Sequence, residues 1–282
     1  AMEVAVNEST GVIRSDSIRF FNTVVSISKN FRYEEKSLLK NKHYKSLSSL
    51  TRKMKDETMD SHDVVSFWMV CMNSEAAKQL FSHKTGIFRT VNMRNSRSPL
   101  DVECDVETHR VLESWKNIDS CYRLFDETVD MSHMTMNVDA YVHITSPIRR
   151  KVDVVNQICF QQSILNYSIS TEAQQYVTTS CEQIDLWNKD VKSIQRVQMD
   201  CDMLYSCIHT PSITEDVHQG IVFNRENVDD NGYRYTVYLK SIKRMYTFDN
   251  NECLDDYSSH EFKVFLFDAE NTGHRKMRVG LV

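Results

Sequence analysis

Pro211 separates two stretches of the chain that cannot share one kind of secondary structure. Before it, apolar residues recur at 177, 181, 184, 187, 191, 194, 197, 201 and 204, the three-or-four spacing that lines one face of a helix. Beyond it lie four of the six glycines, Gly220, Gly232, Gly273 and Gly280. There the stretches 220–223, 233–239, 262–267 and 276–282 alternate or run apolar as strands do. The fold class is therefore read as α+β: a mainly helical part over 1–210, then a small β-barrel or sandwich over 217–282.

Six glycines and three prolines in 282 residues also favour long helices with few tight turns. The first 30 residues are expected to be extended, with a turn at 7–11. A helix is expected over about 33–56, carrying Leu38, Leu39, Leu47 and Leu50. A second starts at Asp60 or Ser61, with Val65, Trp68, Met69, Met72, Ala76 and Leu80 on one face. A short strand at 87–91, a loop at 92–99 and a helix between 106 and 125 follow. Ser146-Pro147 is the expected start of a helix running to about 166, and 171–208 is expected to be one continuous helix.

A net charge of −5 and a pI near 6.1 exclude a protein that coats nucleic acid with an all-basic surface, but leave room for a local basic channel. Eight cysteines occur with no Cys-x-x-Cys, which argues against zinc and disulfide frameworks and for reduced, mostly buried thiols. No apolar run reaches the roughly 18 residues of a membrane span. No membrane partner is expected, and the location expected is intracellular, in the cytoplasm.

The run that carries chemistry is Tyr141-Val-His-Ile-Thr-Ser-Pro-Ile-Arg-Arg-Lys151-Val-Asp153. Ser146 suits an N-cap and Pro147 a first helical position. A helix N-terminus favours acids, yet Arg149, Arg150 and Lys151 would crowd this one. Free amides and two guanidiniums at a helix start make a phosphate site. The plainer alternative pairs Arg149 with Asp153 one turn on and leaves the other cations in solvent.

This run resembles the signature Tyr-x-His-Phe-Thr-Ser-Pro-Ile-Arg-Arg-Tyr-x-Asp of the RNase II superfamily, the RNB 3′→5′ exoribonucleases. Ile144 replaces the family's Phe, Lys151 its Tyr, and Asn156-Gln157 its usual His-Arg. Residues 61–73 resemble the family's Ser-His helix, with Ser66 and Phe67 in place of two glutamates. Arg32-Tyr33-Glu34-Glu35, 86–89 and 181–204 are similar to further family segments in the same order. The resemblance implies the C-terminal half of an RNB catalytic domain over 1–210 and an OB-type RNA-binding barrel over 217–282. It implies single-stranded RNA as partner, with Arg149 as the catalytic phosphate-gripping residue and His143, Thr145, Ser146 and Arg150 beside it on the RNA.

The family's Asp-x5-Asp-x-Asp-Asp run, which holds Mg²⁺ for two-metal hydrolysis, has no counterpart in these 282 residues. Mg²⁺ is thus implied by the resemblance while its ligands are missing from this chain, and no residue here is assigned to metal. Either the front half lies outside these 282 residues, or the natural chain is truncated or split, in which case the missing half is a candidate partner. The expected function is the RNA-binding portion of a 3′→5′ exoribonuclease, inactive alone. The alternative is a non-catalytic RNA-binding or scaffold protein on a degenerate RNB fold.

Two weaker patterns are read as structural. The alternation Asp101, Glu103, Asp105, Glu107, His109 suits a solvated loop or edge strand better than a metal site. Residues 249–256 lack the Gly and Glu of a calcium loop. Tyr233, Tyr235, Tyr238, Tyr246 and Phe248, with Arg225, Arg234, Lys240, Lys243 and Arg244, mark a region suited to stacking on single-stranded RNA, about half of whose rings belong in a core.

Overall fold

A computed structural model describes residues 1–55, 57–93, 105–228, 232–268 and 275–282. The chain divides into two compact units, 1–96 with 117–187 and 97–116 with 188–282.

The first unit begins with an extended arm in which β1 (Met2–Glu3) pairs with β2 (Arg19–Phe20). The expected turn is present: Asn7 Oδ1 accepts the Ser9 and Thr10 N–H groups, and Gly11 adopts φ +69°. The helix expected over 33–56 is two, α1 (Lys36–Lys40) and α2 (Lys42–Lys55), broken at the extended Asn41. Asn41 Oδ1 accepts the Tyr44 N–H and so restarts the helix. α3 (Ser61–Ser82) starts where its sequence said, on a reciprocal capping box between Asp60 and Asp63. It packs against α2 and against α5 (Lys151–Ser163), with Val64, Ala76, Ala77 and Leu80 buried.

β3 (Ile87–Met93) contains the expected strand and pairs antiparallel with β4 (Ile118–Leu124) in register from Ile87↔Leu124 to Met93↔Ile118. The loop expected from 92 is displaced by this ladder, and its remainder from 94 lies outside the described residues. The helix expected between 106 and 125 likewise stops early: α4 (Val106–Asn117) gives way to β4. A β3 partner with free main-chain groups overrides the helical spacing of Val111, Leu112 and Ile118.

The helix expected over 171–208 is also two, α6 (Thr171–Glu182), capped by Ser170, and α7 (Ile184–His209). No Gly or Pro marks the break at Gln183, so the spacing runs through it unaltered. That spacing overstates burial, because Ile194, Val197 and Cys201 are exposed. α7 begins in the first unit and carries the chain into the second.

After α8 (Ser212–Glu215) the second unit is strand-built, with β5 (Val217–Val228), β6 (Gly232–Leu239), β7 (Arg244–Asn250), β8 (Ser259–Asp268) and β9 (Arg275–Leu281). The sheet order β7-β6-β5-β8-β9 makes β5 to β8 a Greek key, the fourth strand returning beside the first. β7 and β9 are the two free edges, so the hydrogen-bonded ladder is open. Val222, Tyr235, Val237, Leu239, Phe248, Phe262, Val264 and Val279 form its core with Met203 and Cys207 of α7. The four expected strands fall on β5, β6, β8 and β9, while β7 is a strand that the sequence reading did not include.

Of the seven described cysteines only Cys159 and Cys207 are buried, while Cys201 and Cys253 are exposed, which corrects the expectation of mostly buried thiols. Among the described residues no helix is long and apolar enough to cross a membrane.

Candidate functional site

Residues 141–150 form a loop between the β3–β4 ladder and α5, and buried amides hold it from both sides. Asn73 on α3 is fully buried; its Nδ2 donates to Tyr141 Oη at 2.8 Å and its Oδ1 accepts the Ile144 N–H at 3.2 Å. Asn156 on α5 is equally buried, accepts the Ile87 N–H at 2.8 Å and donates to the carbonyls of Ile87 and His143, both at 2.9 Å. Gln157 Nε2 donates to the Ile144 carbonyl at 2.9 Å. Gly86, at φ +99°, passes so near that a Cβ would lie 3.3 Å from Asn156 Oδ1. The pair that departs from the family's usual His-Arg is therefore what fastens the loop to strand and helix.

The helix start differs from expectation. Ser146 is not the N-cap and Pro147 is not the first helical residue. Residues 146–149 form a turn in which the Ser146 carbonyl accepts the Arg149 and Arg150 N–H groups at 3.3 and 3.2 Å. Arg150 then takes the extended N-cap position at φ −132°, ψ 118°, and α5 begins at Lys151. Pro147 suits the second position of such a turn as well as it suits a helix start. Asp153, in the first helical turn, reaches back to accept the Ser146 N–H at 2.7 Å. Arg149 and Arg150 therefore do not crowd the first helical turn; of the three cations only Lys151 lies inside the helix. Nor does Arg149 pair with Asp153: the cation there is Arg150, at 3.9 Å from Asp153 Oδ1, an ion-pair distance too long for a hydrogen bond.

Charge at the site is mostly positive. Arg89 on β3 donates to Ser120 Oγ and lies over the Tyr122 ring at 5.0 Å. His143 shares a 2.8 Å hydrogen bond between its Nδ1 and Tyr122 Oη. Burial, together with the positive charges of Arg150, Arg89, His133 and Arg149, pushes the His143 imidazole down to about 3. It is neutral at physiological pH. Burial also raises the Asp153 carboxyl, against the lowering exerted by the Ser146 N–H and the two arginines.

The five expected site residues thus share one loop but face differently. His143 is fixed to Tyr122, Ser146 gives its N–H to Asp153, and Thr145 turns a fully buried hydroxyl inward that has no hydrogen-bond partner among the described residues. Arg150 is half-buried against Asp153, its side chain 20 % exposed. Arg149 is exposed, and among the described residues its guanidinium takes no hydrogen bond or ion pair. The arrangement can hold an anion at Arg149 with Arg150 and Arg89 behind it.

A Mg²⁺ ion does not fit this donor set. Asp153 is the one carboxylate of the loop and helix start, one oxygen taken by an N–H and the other facing a guanidinium. Among the described residues no three His, Cys, Asp or Glu side chains converge. Asp101 and Glu103 lie outside the described residues, while Asp105 caps α4 by accepting the Thr108 N–H at 2.8 Å, and Glu107 pairs with Lys243 at 2.7 Å. Those last residues open a helix and not the loop or edge strand expected. The aromatic and basic set of the second unit is partly spent as well. Tyr235, Tyr238 and Phe248 are core, and Arg234 forks onto Asp249 at 2.7 and 3.2 Å.

The residues that sequence reasoning left out of the site are Asn73, Arg89, Tyr122, Asn156 and Gln157. Their partners lie as far as 71 residues away in the chain, and no local pattern announces them.

A family model described as the RNB domain matches residues 4–166, more than half of the chain. No curated protein sequence matches. Among solved structures, the chain is similar to Mycoplasma genitalium RNase R in complex with ribose methylated single-stranded RNA, with 12 % identity and TM-score 0.46 over 84 % of this chain and 49 % of that one. It is similar to the apo form of the same enzyme, with 13 % identity and TM-score 0.44 over 82 % and 45 %. The complex of that enzyme with double-stranded RNA gives 13 % identity and TM-score 0.47 over 84 % and 50 %. The chain spans about half the length of these solved relatives.

Proposed function

The chain belongs to the RNB domain family, and from that membership we propose that it is the RNA-binding portion of an RNase II-type 3′→5′ exoribonuclease acting on single-stranded RNA. The observation that carries this reading is Arg149, an unpaired guanidinium on a loop locked by Asn73, Asn156 and Gln157. A charged group held on a rigid support binds an anion with little further ordering cost. In this reading Arg149 grips a backbone phosphate. Arg150 and Arg89 supply the field behind it, and His143, Thr145 and Ser146 shape the loop from within.

The second unit is read as an OB-type barrel that guides the strand. Its Greek-key order supports this, as does the approach of its two edges, where Tyr246 Oη on β7 donates to the Met277 carbonyl on β9 at 3.3 Å. Unpaired thiols agree with an intracellular setting. Hydrolysis would need Mg²⁺ ligands beyond the described residues, supplied by the front half of the domain, whether in the same polypeptide or on a partner. The observation that favours a non-catalytic RNA binder instead is the tie of Asp153 to Ser146 and Arg150, which leaves no carboxylate cluster there.

The test is a fluorescence-anisotropy titration of labelled single-stranded RNA across a salt series. Binding that weakens steadily with salt, by counterion release from a few phosphate contacts, is expected. Absence of binding at low salt would refute the proposal.

A further inference from the structure

The sequence of β8 puts phenylalanines on both faces of one strand. Phe262 and Val264 belong to the core of the second unit, where Val279 of β9 joins them. The alternate positions of β8, 261, 263, 265 and 267, read Glu, Lys, Phe and Phe, and those of β9, 276, 278 and 280, read Lys, Arg and Gly. Register sets Phe265 opposite Arg278, Phe267 opposite Lys276 and Lys263 opposite Gly280. A strand with one face in a core ordinarily turns polar groups to the other side. Here Phe265 is 47 % exposed and Phe267 46 %.

Neither the rings nor the cations of this face are committed elsewhere. Among the described residues neither ring stacks on another or has a cation over it. Phe265 reaches over Gly280, where an added Cβ would lie 3.5 Å from its Cε2, so no side chain stands on that flank of the ring. Among the described residues Lys263, Lys276 and Arg278 enter no ion pair. Glu261, the one acid at these alternate positions, accepts a hydrogen bond from Gln219 Nε2 at 2.9 Å. Asp249 on β7 feels the charge of Arg278 but is held by the Arg234 fork.

Alternate residues of a strand stand about 6.6–6.8 Å apart, so each ring can take a separate planar group, with a cation across the ladder from it. That repeat, a flat apolar surface beside a positive charge, matches successive nucleotides of a single strand, each a planar base joined to a phosphate. An apolar protein surface laid on the same face would bury the cations without partners.

We propose that the outer face of β8 and β9 binds single-stranded RNA, with one base stacked on Phe265, one on Phe267, and the phosphates held by Lys263, Lys276 and Arg278. The proposal rests on the reading of the chain as an RNA binder and adds a contact within the second unit, separate from residues 141–150.

The experiment uses the full chain with two probes: an oligouridylate carrying 5-iodouridine, whose photocross-links to stacked rings are located by mass spectrometry, and a fluorescent oligouridylate for affinity. Cross-links are expected at Phe265 and Phe267. Phe265→Leu combined with Phe267→Leu should weaken binding by about tenfold or more with little change in salt dependence, because stacking releases no counterion. Phe265→Tyr combined with Phe267→Tyr should keep both affinity and cross-links. Lys276→Gln combined with Arg278→Gln should make the salt dependence shallower. These side chains are exposed, so the melting temperature should hold in each variant. If the leucine variant does melt early, the cross-links of the natural chain decide. RNA binding without a cross-link in 259–281, or undiminished affinity in a folded leucine variant, would overturn this proposal and leave the Arg149 reading standing. A natural chain that binds no oligouridylate at low salt would overturn both. A mass that rises with concentration in RNA-free protein and falls back in the leucine variant would mean that the face joins two copies, and would overturn the proposal as well.

Discussion

At the scale of single residues, the 141–150 loop depends on buried amides more than on charges. Asn156→Ala would leave the Ile87 N–H and the carbonyls of Ile87 and His143 without partners, so a loss of roughly 1–3 kcal/mol is expected in denaturant unfolding. His143 makes a second test. Its folded value, about 3, lies below the unfolded value near 6.5, so the unfolded chain binds the extra proton. Its contribution to stability is complete above about pH 6.5 and is lost as pH falls toward 3, with a slope of at most about 1.4 kcal/mol per pH unit. Unfolding measured at pH 7 and pH 5 should therefore show a smaller acid loss in His143→Gln than in the natural chain, and an identical loss would contradict the buried neutral imidazole. The sequence exposed Arg149 and Arg150 as an unusual cation pair. It did not expose Asn156, because an amide that clamps a strand 69 residues away leaves no local trace.

At the scale of elements, what was legible is what local chemistry decides. The acid-capped start of α3 and the alternation in β6 stand in the sequence and in the structure alike. The start of α5 was misread because Ser-Pro serves a turn as readily as a helix N-terminus, and only the reach of Asp153 back to Ser146 distinguishes the two. β4 was missed because its identity depends on β3 as partner. Close approach inside the sheet gives a further prediction. A Cβ on Gly220 would meet Val237 Cγ2 at 2.6 Å and Phe262 Cδ2 at 2.8 Å, whereas one on Gly280 meets nothing nearer than Phe265 Cε2 at 3.5 Å. Gly220→Ala should cost about 1–3 kcal/mol in denaturant unfolding and Gly280→Ala much less. Equal costs would show that β5 relaxes around the added methyl.

At the scale of the whole molecule, the chain belongs to the RNB domain family, and the proposal is that these 282 residues bind RNA while the carboxylates for cutting it come from beyond the described residues. The purified 282-residue chain is expected to leave labelled single-stranded RNA intact in Mg²⁺. Processive shortening that EDTA abolishes, absent from a mock preparation, would contradict that. The central claim is the phosphate grip of Arg149, and the most direct measurement compares RNA affinity and thermal melting of the natural chain with Arg149→Ala and Arg149→Glu. Arg149 is exposed and unpaired among the described residues, so neither change should move the melting temperature much. The account predicts that Arg149→Ala weakens single-stranded RNA binding by roughly 1–3 kcal/mol, and Arg149→Glu by more, with a shallower salt dependence for both. Unchanged affinity in a well-folded Arg149→Glu protein would contradict it.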